Sequence, residues 1–252
     1  MTSDQPRNPD ETGYRLHPDV VWIARPDGSA RLMHMSANVC AIDADAAALL
    51  KSVLDMGAEH AATELAANEE IDEAEAREEV QDFIAELRQQ KLIQPLQQRQ
   101  PLLEQIRDGA ARTLMPGAIR LVGLSRSMRG KVWGLLWAAR WAVAQFGWAR
   151  AVREWERLYP QPAVETAQRD EHLAAIDHAV RQRASRSLIG VECKERSLAC
   201  LALARESGIA AEMIVGVTHN PLQGHVWVEA GGRVISDNPE HCRPFEPVAR
   251  YG

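Results

Sequence analysis

No Cys-x-x-Cys pair occurs anywhere in the chain, and the four cysteines, Cys40, Cys193, Cys200 and Cys242, are scattered. Such spacing argues against a disulfide framework. It matches no common zinc-finger pattern either, even with His225 and His241 counted as ligands, and no metal or cofactor is expected. The chain also lacks any run of about 18 apolar residues, the length that would suggest a membrane span. Its richest segment, VWGLLWAARWAVAQFGW (132–148), is interrupted by Arg140 and Gln145. The opening, MTSDQPRNPDETG, has no apolar h-region, so no secretory signal is expected and the expected location is the cytoplasm. Basic residues are not in excess. Lys and Arg number 29 against 35 Asp and Glu, a net charge of −6, which argues against a nucleic-acid partner.

What is present is enough apolar sequence for one or two folded cores: 46% of 252 residues are hydrophobic. Residues 1–95 read as a self-contained domain. DVVWIAR (19–25) and ARLMHM (30–35) predict two strands around a PDG turn, with VCAI (39–42) as a short third. Three helices follow. DADAAALLKSVLDMG (43–57) puts Ala46, Leu49, Leu50, Val53 and Leu54 on one stripe, with Gly57 as its stop. AEHAATELAANEE (58–70) keeps that period. The third opens on Asp72 with Glu75 three residues on, a capping-box pattern, and turns Val80, Phe83, Ile84 and Leu87 inward. Three short strands and three small helices make a winged-helix-like domain.

QPLQQRQP (94–101) and a Pro-Gly at 116–117 then bound a linker, taken as 96–117. Residues 118–252 form a second domain. Its first part, to about 158, reads as helix with Trp133, Trp137, Trp141, Trp148 and Trp155 spaced by four and seven. That stripe fits helix core, which burial alone would demand, or a binding face for an apolar peptide. A helix at about 168–184 and another, ECKERSLACLALARE, follow. IAAEMIVGV (209–217) then reads as a strand, and GHVWVEAGGRVISDN (224–238) as a hairpin about Gly231-Gly232. Helices first and a small antiparallel sheet last make this domain α+β.

The hairpin brings His225 and Asp237 to neighbouring strands, and Cys193 opens a helix. A thiol at a helix N-terminus meets the positive end of the macrodipole and unpaired N–H groups, both favouring thiolate, and Lys194 and Arg196 add positive potential. A histidine to move the proton and a carboxylate to orient the histidine would complete a nucleophilic site. Each residue has a plainer reading: Cys193 as a small buried hydrophobe, His225 as a strand-edge polar residue, Asp237 as a turn starter. Cys200 lies two turns inside the helix and reads as core. His219 is the rival base, and His241 and Cys242, in a Pro-rich tail, read as structural or incidental.

In register, Cys193, Arg196-Ser197-Leu198, Gly208-Ile209, Gly216-Val217, His225, Trp227-Val228-Glu229 and Asp237 resemble the transglutaminase-like cysteine peptidase of lasso peptide biosynthesis. The likeness covers about 118–240. The strand pair, VCAIDADAAALLKSVLDMG and a last helix ending QKLIQP resemble the leader-peptide recognition element of ribosomal peptide pathways. Together they look like a fused B protein of lasso peptide biosynthesis. The resemblance implies a papain-like α+β peptidase domain with Cys193, His225 and Asp237 as a Cys-His-Asp triad. The backbone N–H of Cys193 would be one oxyanion donor. It implies removal of the leader from a ribosomally made precursor peptide, and a complex with an asparagine-synthetase-like, ATP-dependent lasso cyclase. The leader would add to the strand edge near 30–42 and against the last helix, touching Met33, Met35 and Leu87. Two other readings stand beside it: a non-catalytic peptide-binding scaffold, and acyl transfer to an amine by the same triad.

Overall fold

The computed structural model describes residues 13–35, 39–96, 102–123, 125, 127–163, 169–187 and 190–252. The polar opening, 1–12, and most of the QPLQQRQP stretch, 97–101, lie outside them. The chain divides into two compact units, 1–101 and 102–252.

In the first unit, β1 (Tyr14–Leu16), β2 (Val20–Ala24), β3 (Ala30–His34) and β4 (Val39–Ile42) lead into α1 (Ala44–Met56), α2 (Ala58–Glu69), α3 (Glu73–Gln89) and β5 (Ile93–Pro95). Asp43 caps α1, its carboxylate accepting the Ala46 N–H at 2.9 Å, which satisfies one of the orphan donors of the first turn. The capping box expected at Asp72 does not form: Asp72 is the N-cap of α3, but its side chain makes no capping hydrogen bond. β2, β3 and β4 form an antiparallel sheet in that order, while β1 pairs with β5 through Tyr14↔Pro95 and Leu16↔Ile93. That second pairing joins the two ends of the unit, and no local pattern announces it. It converts the start of the QPLQQRQP stretch into a strand.

The core of this unit takes Leu32 from β3, Leu50 and Val53 from α1, Ala61 from α2, Val80, Ile84 and Leu87 from α3, and Ile93 from β5. Only part of the stripe expected on α1 is inward. Ala47, Leu50 and Val53 are buried, whereas Leu49 and Leu54 are partly covered. Of the residues expected at a leader, Leu87 and Met33 are buried in the fold and Met35 is half-buried. Burial gives Leu87 and Met33 a sufficient role in supporting the sheet and helix from beneath.

The second unit opens with α4 (Leu102–Gly123), α5 (Met128–Phe146), α6 (Trp148–Leu158) and α7 (Arg169–Ser185). Residues 102–117, expected as linker, are therefore helix, and α4 runs through Pro116. A proline costs a helix interior one backbone hydrogen bond and a steric clash. Here Ala111, Met115 and Ile119 are buried along the same helix, so packing outweighs that local cost. Arg150 of α6 bridges Glu104 and Asp108 of α4, and Arg107 donates to the Gln145 carbonyl at 2.6 Å. The continuous helix expected to 158 is broken at Gly147, where φ is 84°. The tryptophans divide accordingly. Trp148 and Trp155 are core, Trp141 is half-buried, and Trp133 and Trp137 are 45% and 43% exposed with their rings 5.8 Å apart.

Next come α8 (Cys193–Glu206), β6 (Ala211–His219), β7 (Leu222–Ala230), β8 (Arg233–Ile235), α9 (Pro239–Cys242) and β9 (Glu246–Tyr251). The sheet is antiparallel in the order β8-β7-β6-β9. The Pro-rich tail is thus an edge strand, paired to β6 from Met213↔Tyr251 to Val217↔Glu246 across a bulge at Val215/Gly216. α8 packs on β6 and β7 and is flanked by α5, α6 and α7. Its residues from Ser197 to Arg205 are buried, and it is pinned where Trp155 Nε1 donates to the Leu198 carbonyl at 3.0 Å. Among the described residues no helix is long and apolar enough to cross a membrane.

Candidate active site

Cys193 is the first residue of α8. Glu192 precedes it as N-cap in a reciprocal capping box with Glu195, whose side chain accepts the Glu192 N–H at 2.9 Å. Two orphan donors are satisfied this way, so the helix begins at the cysteine rather than fraying past it. Glu195 is fully buried, and Arg140 on α5 reaches it at 3.3 Å. Glu192 and Glu195 therefore serve the helix start.

The Gly231-Gly232 turn holds the hairpin. Both glycines have positive φ, 57° and 77°, as a two-residue hairpin turn of the primed type requires. Ala230↔Arg233 and Val228↔Ile235 set the register; continued, it would put Asp237 opposite Val226, so the approach to His225 is made past the end of β8, where Ser236 takes a positive φ of 80°. His225 Nε2 lies 3.0 Å from Asp237 Oδ2. The distance is that of an ion pair, but the angle is outside hydrogen-bond geometry, and Nε2 is buried without another partner. Asp237 acts on the imidazole mainly through its charge, with a smaller hydrogen-bonding contribution.

Asp237 holds more than the imidazole. Arg196 Nη2, one turn into α8, donates to the same Oδ2 at 3.0 Å, and Oδ1 accepts the Asn238 N–H at 2.7 Å. Ser197 Oγ donates to the Val226 carbonyl at 3.0 Å, so α8 is fixed to β7 one residue beyond His225. Trp227, two residues on and so on the same strand face, stacks toward the His225 ring at 6.1 Å. It lies across Gly216, where an added Cβ would meet the indole at 2.6 Å. Only glycine leaves room there. Phe245 and His241, both from the tail, come within 5.0 Å of the His225 ring between centroids. His241 thus belongs beside the site, against the expectation that it is incidental.

The electrostatics differ from the sequence expectation in one respect. Burial pushes the Cys193 thiol up, although a hydrogen bond from the Val226 N–H and the charges of Arg196 and Lys194 act to lower it. Helix start and nearby cations are present as expected, and desolvation of the thiolate outweighs them. Burial also pushes His225 down, with His241 and Arg196 adding to that and the Asp237 carboxylate opposing it. Burial alone would raise Asp237, but the Asn238 N–H and the Arg196 charge hold it below the usual carboxylate range. These directions favour the neutral thiol and the neutral imidazole, beside a carboxylate paired to arginine. Alkylation of Cys193 by iodoacetamide, followed by peptide mass mapping, is therefore expected to keep rising with pH beyond the ordinary thiol range. A plateau already reached at neutral pH would mean a preformed thiolate-imidazolium pair and would overturn this assignment.

The other candidates take no role in this constellation. Cys200 is fully buried and its thiol is pushed far up by desolvation. Cys242 is buried with Ile214 and Trp227, and burial pushes its thiol up to about 12. His219 pairs with Glu246 at 3.0 Å across β6 and β9.

The comparisons with known proteins agree with this part of the chain. Residues 133–250, just under half of the 252, match the family model of the transglutaminase-like superfamily. Those residues are similar to a transglutaminase-like domain. They take in α8, the four-stranded sheet and the three residues just described. The superfamily generally contains cysteine-protease-like enzymes, so the transglutaminase-like domain is compatible with peptidase or acyl-transfer chemistry. No curated protein and no solved structure matches the chain.

Proposed function

We propose that the protein is a cysteine peptidase that binds the leader of a ribosomally made lasso precursor peptide and cleaves it off. The observation that carries the reading is the contact of His225 with Asp237, with the Cys193 thiol at the N–H of Val226, the residue after His225. The thiol gives its proton to His225 as it attacks the scissile carbonyl, and the imidazolium formed is stabilised by Asp237. His225 then protonates the leaving amine, and water, deprotonated by the same ring, releases the acyl-enzyme. Backbone N–H groups, that of Cys193 among them, receive the oxyanion. The core peptide passes with its new N-terminal amine to an ATP-dependent, asparagine-synthetase-like cyclase, with which the protein forms a complex. No cofactor enters the scheme.

Leader recognition is assigned to the first unit. In its favour, β4 is the end strand of its sheet, and Val39 and Ala41 on it are exposed. The Glu86 carboxylate of α3 acts on Cys40 of the same strand, so a peptide adding to β4 would run beside α3. Met35 remains a contact residue in this reading, while Met33 and Leu87 support the surface from within.

The test is incubation of the full chain with the precursor encoded beside it, with and without the cyclase, read by mass spectrometry. Separated leader and core are expected, and a chain beginning at Leu102 is expected to bind the leader at least about tenfold more weakly. Equal leader affinity in the shortened chain would sink the recognition role. Intact precursor in both incubations, with leader still bound, would favour a scaffold. A product joined to an added amine would favour acyl transfer.

A further inference from the structure

Among the described residues, two clusters bring three metal-ligating side chains together, one ligand atom from each lying within 4.8 Å of the others. The first, His17, Asp19 and His34, is already committed elsewhere. His17 Nδ1 accepts the Asp19 N–H at 3.2 Å, so that nitrogen is engaged in holding the local backbone. The second is His225, Asp237 and His241, and it has a different character.

His225 is only 7% exposed, and its Nε2 has no aligned hydrogen-bond partner although Asp237 Oδ2 is 3.0 Å away. A buried ring nitrogen in that state costs stability unless something pairs with it. His241 projects from the short α9, exposed, with its ring centroid 5.0 Å from that of His225 at a tilt of 46°. A tetrahedral zinc ion with bonds of about 2.0–2.2 Å holds its donors roughly 3.3–3.6 Å apart. One edge of that tetrahedron, Nε2 to Oδ2, is almost set. An exposed histidine reaches the third corner by rotating its side chain, and the fourth stays open. Two imidazoles and a carboxylate are a zinc-type donor set.

We propose that His225, Asp237 and His241 bind a zinc-class divalent cation that reversibly inhibits the protein. The proposal rests, for its consequence though not for the site itself, on the reading of His225 as the acid-base group. A cation on Nε2 uses that nitrogen's lone pair and leaves the ring proton on Nδ1. The imidazole then has no nitrogen free to accept the thiol proton, and the Asp237 charge that would stabilise an imidazolium is neutralised. Cysteine takes no part, which separates this site from the cysteine-based one the sequence spacing disfavours. Arg196 works against it, since its guanidinium shares Asp237 Oδ2 at 3.0 Å and must be displaced or tolerated beside the cation. Binding is accordingly reversible and weaker than in a closed structural site.

The experiment uses the full chain carrying Cys193→Ala, so that the thiol cannot bind metal. Cobalt(II) is titrated in and followed by its visible d-d absorption, with zinc(II) calorimetry in parallel. One equivalent is expected, and adding His241→Ala or His241→Gln should weaken it at least about tenfold. Separately, the ratio of precursor cleavage rates with and without zinc should show inhibition in the wild-type chain. The zinc concentration for half-inhibition should rise by a similar factor in His241→Gln. No cobalt or zinc binding by the Cys193→Ala chain, or binding indifferent to both His241 variants, overturns the site. Cobalt binding that depends on His241 in a chain that cleaves nothing upholds the site and sinks the peptidase reading instead.

Discussion

Replacing Cys193 by alanine is expected to lower precursor cleavage by at least about three orders of magnitude while leaving the fold intact, because the nucleophile is lost and nothing replaces it. The position is favourable for such a test. Cys193 is the first residue of α8, where alanine is well tolerated, and the Glu192–Glu195 capping box that starts the helix is untouched. The side chain is half-buried, so little packing is lost, and the change in stability should stay within about 1 kcal/mol. Leader affinity, assigned to the other unit, should not move. The measurement is single-turnover cleavage by mass spectrometry, alongside a thermal melt. Equal cleavage by both proteins would remove Cys193 from the mechanism and the peptidase assignment with it.

Asp237→Asn should be nearly as damaging, by a different route. Asp237 Oδ2 meets both His225 Nε2 and Arg196 Nη2, and Oδ1 accepts the Asn238 N–H. An asparagine can offer its carbonyl to only one of these two sets. Whichever way the amide turns, its NH2 faces a donor, and the half-buried Arg196 loses its counter-charge. We expect kcat/KM to fall by about 10²–10⁴-fold and stability by about 1–3 kcal/mol, the exposure of Arg196 limiting the second figure. The carboxylate is also what holds the His225 pKa up against burial. Without it the imidazole should titrate lower still, which NMR of the ring can follow. A variant within tenfold of wild-type activity would mean that Asp237 serves only the Arg196 pair.

The parts of this site legible in the sequence are those encoded within a few residues. Gly231-Gly232 between two alternating runs specifies a hairpin and its register, which bring His225 and Asp237 into the same region, while their contact depends on the backbone turning at Ser236. The start of α8 at Cys193 follows from the change of pattern, and the stop before Gly208 from the glycine. Along the first unit, the helix limits expected at Asp43, Gly57 and Asp72 lie close to those observed because caps and stops are local. The capping box is an exception. Asp72 and Glu75 have the required spacing and do not form it, whereas at Cys193 the box is made by a glutamate N-cap, Glu192, a residue that composition alone would pass over.

The features without a sequence signal are long-range. Pro116 and Gly117 read as a break, yet buried side chains on both sides of them keep α4 whole. The tail from Glu246 to Tyr251 becomes a strand only because β6 offers it an edge, and His241 and Phe245, which precede that strand, lie against the His225 ring. Arg196 reads from its position as a cation near the thiol, and the fold places its guanidinium on Asp237.

The sequence by itself therefore determined the identities and order of Cys193, His225 and Asp237, the helix start under the first and the hairpin under the other two. These rest on caps, turns and period-2 alternation, which operate over a few residues. Only the tertiary structure decided the protonation of the site and its company. Desolvation depends on which distant segments close over a group, and here the covering of α8 and β7 pushes the thiol up and the imidazole down.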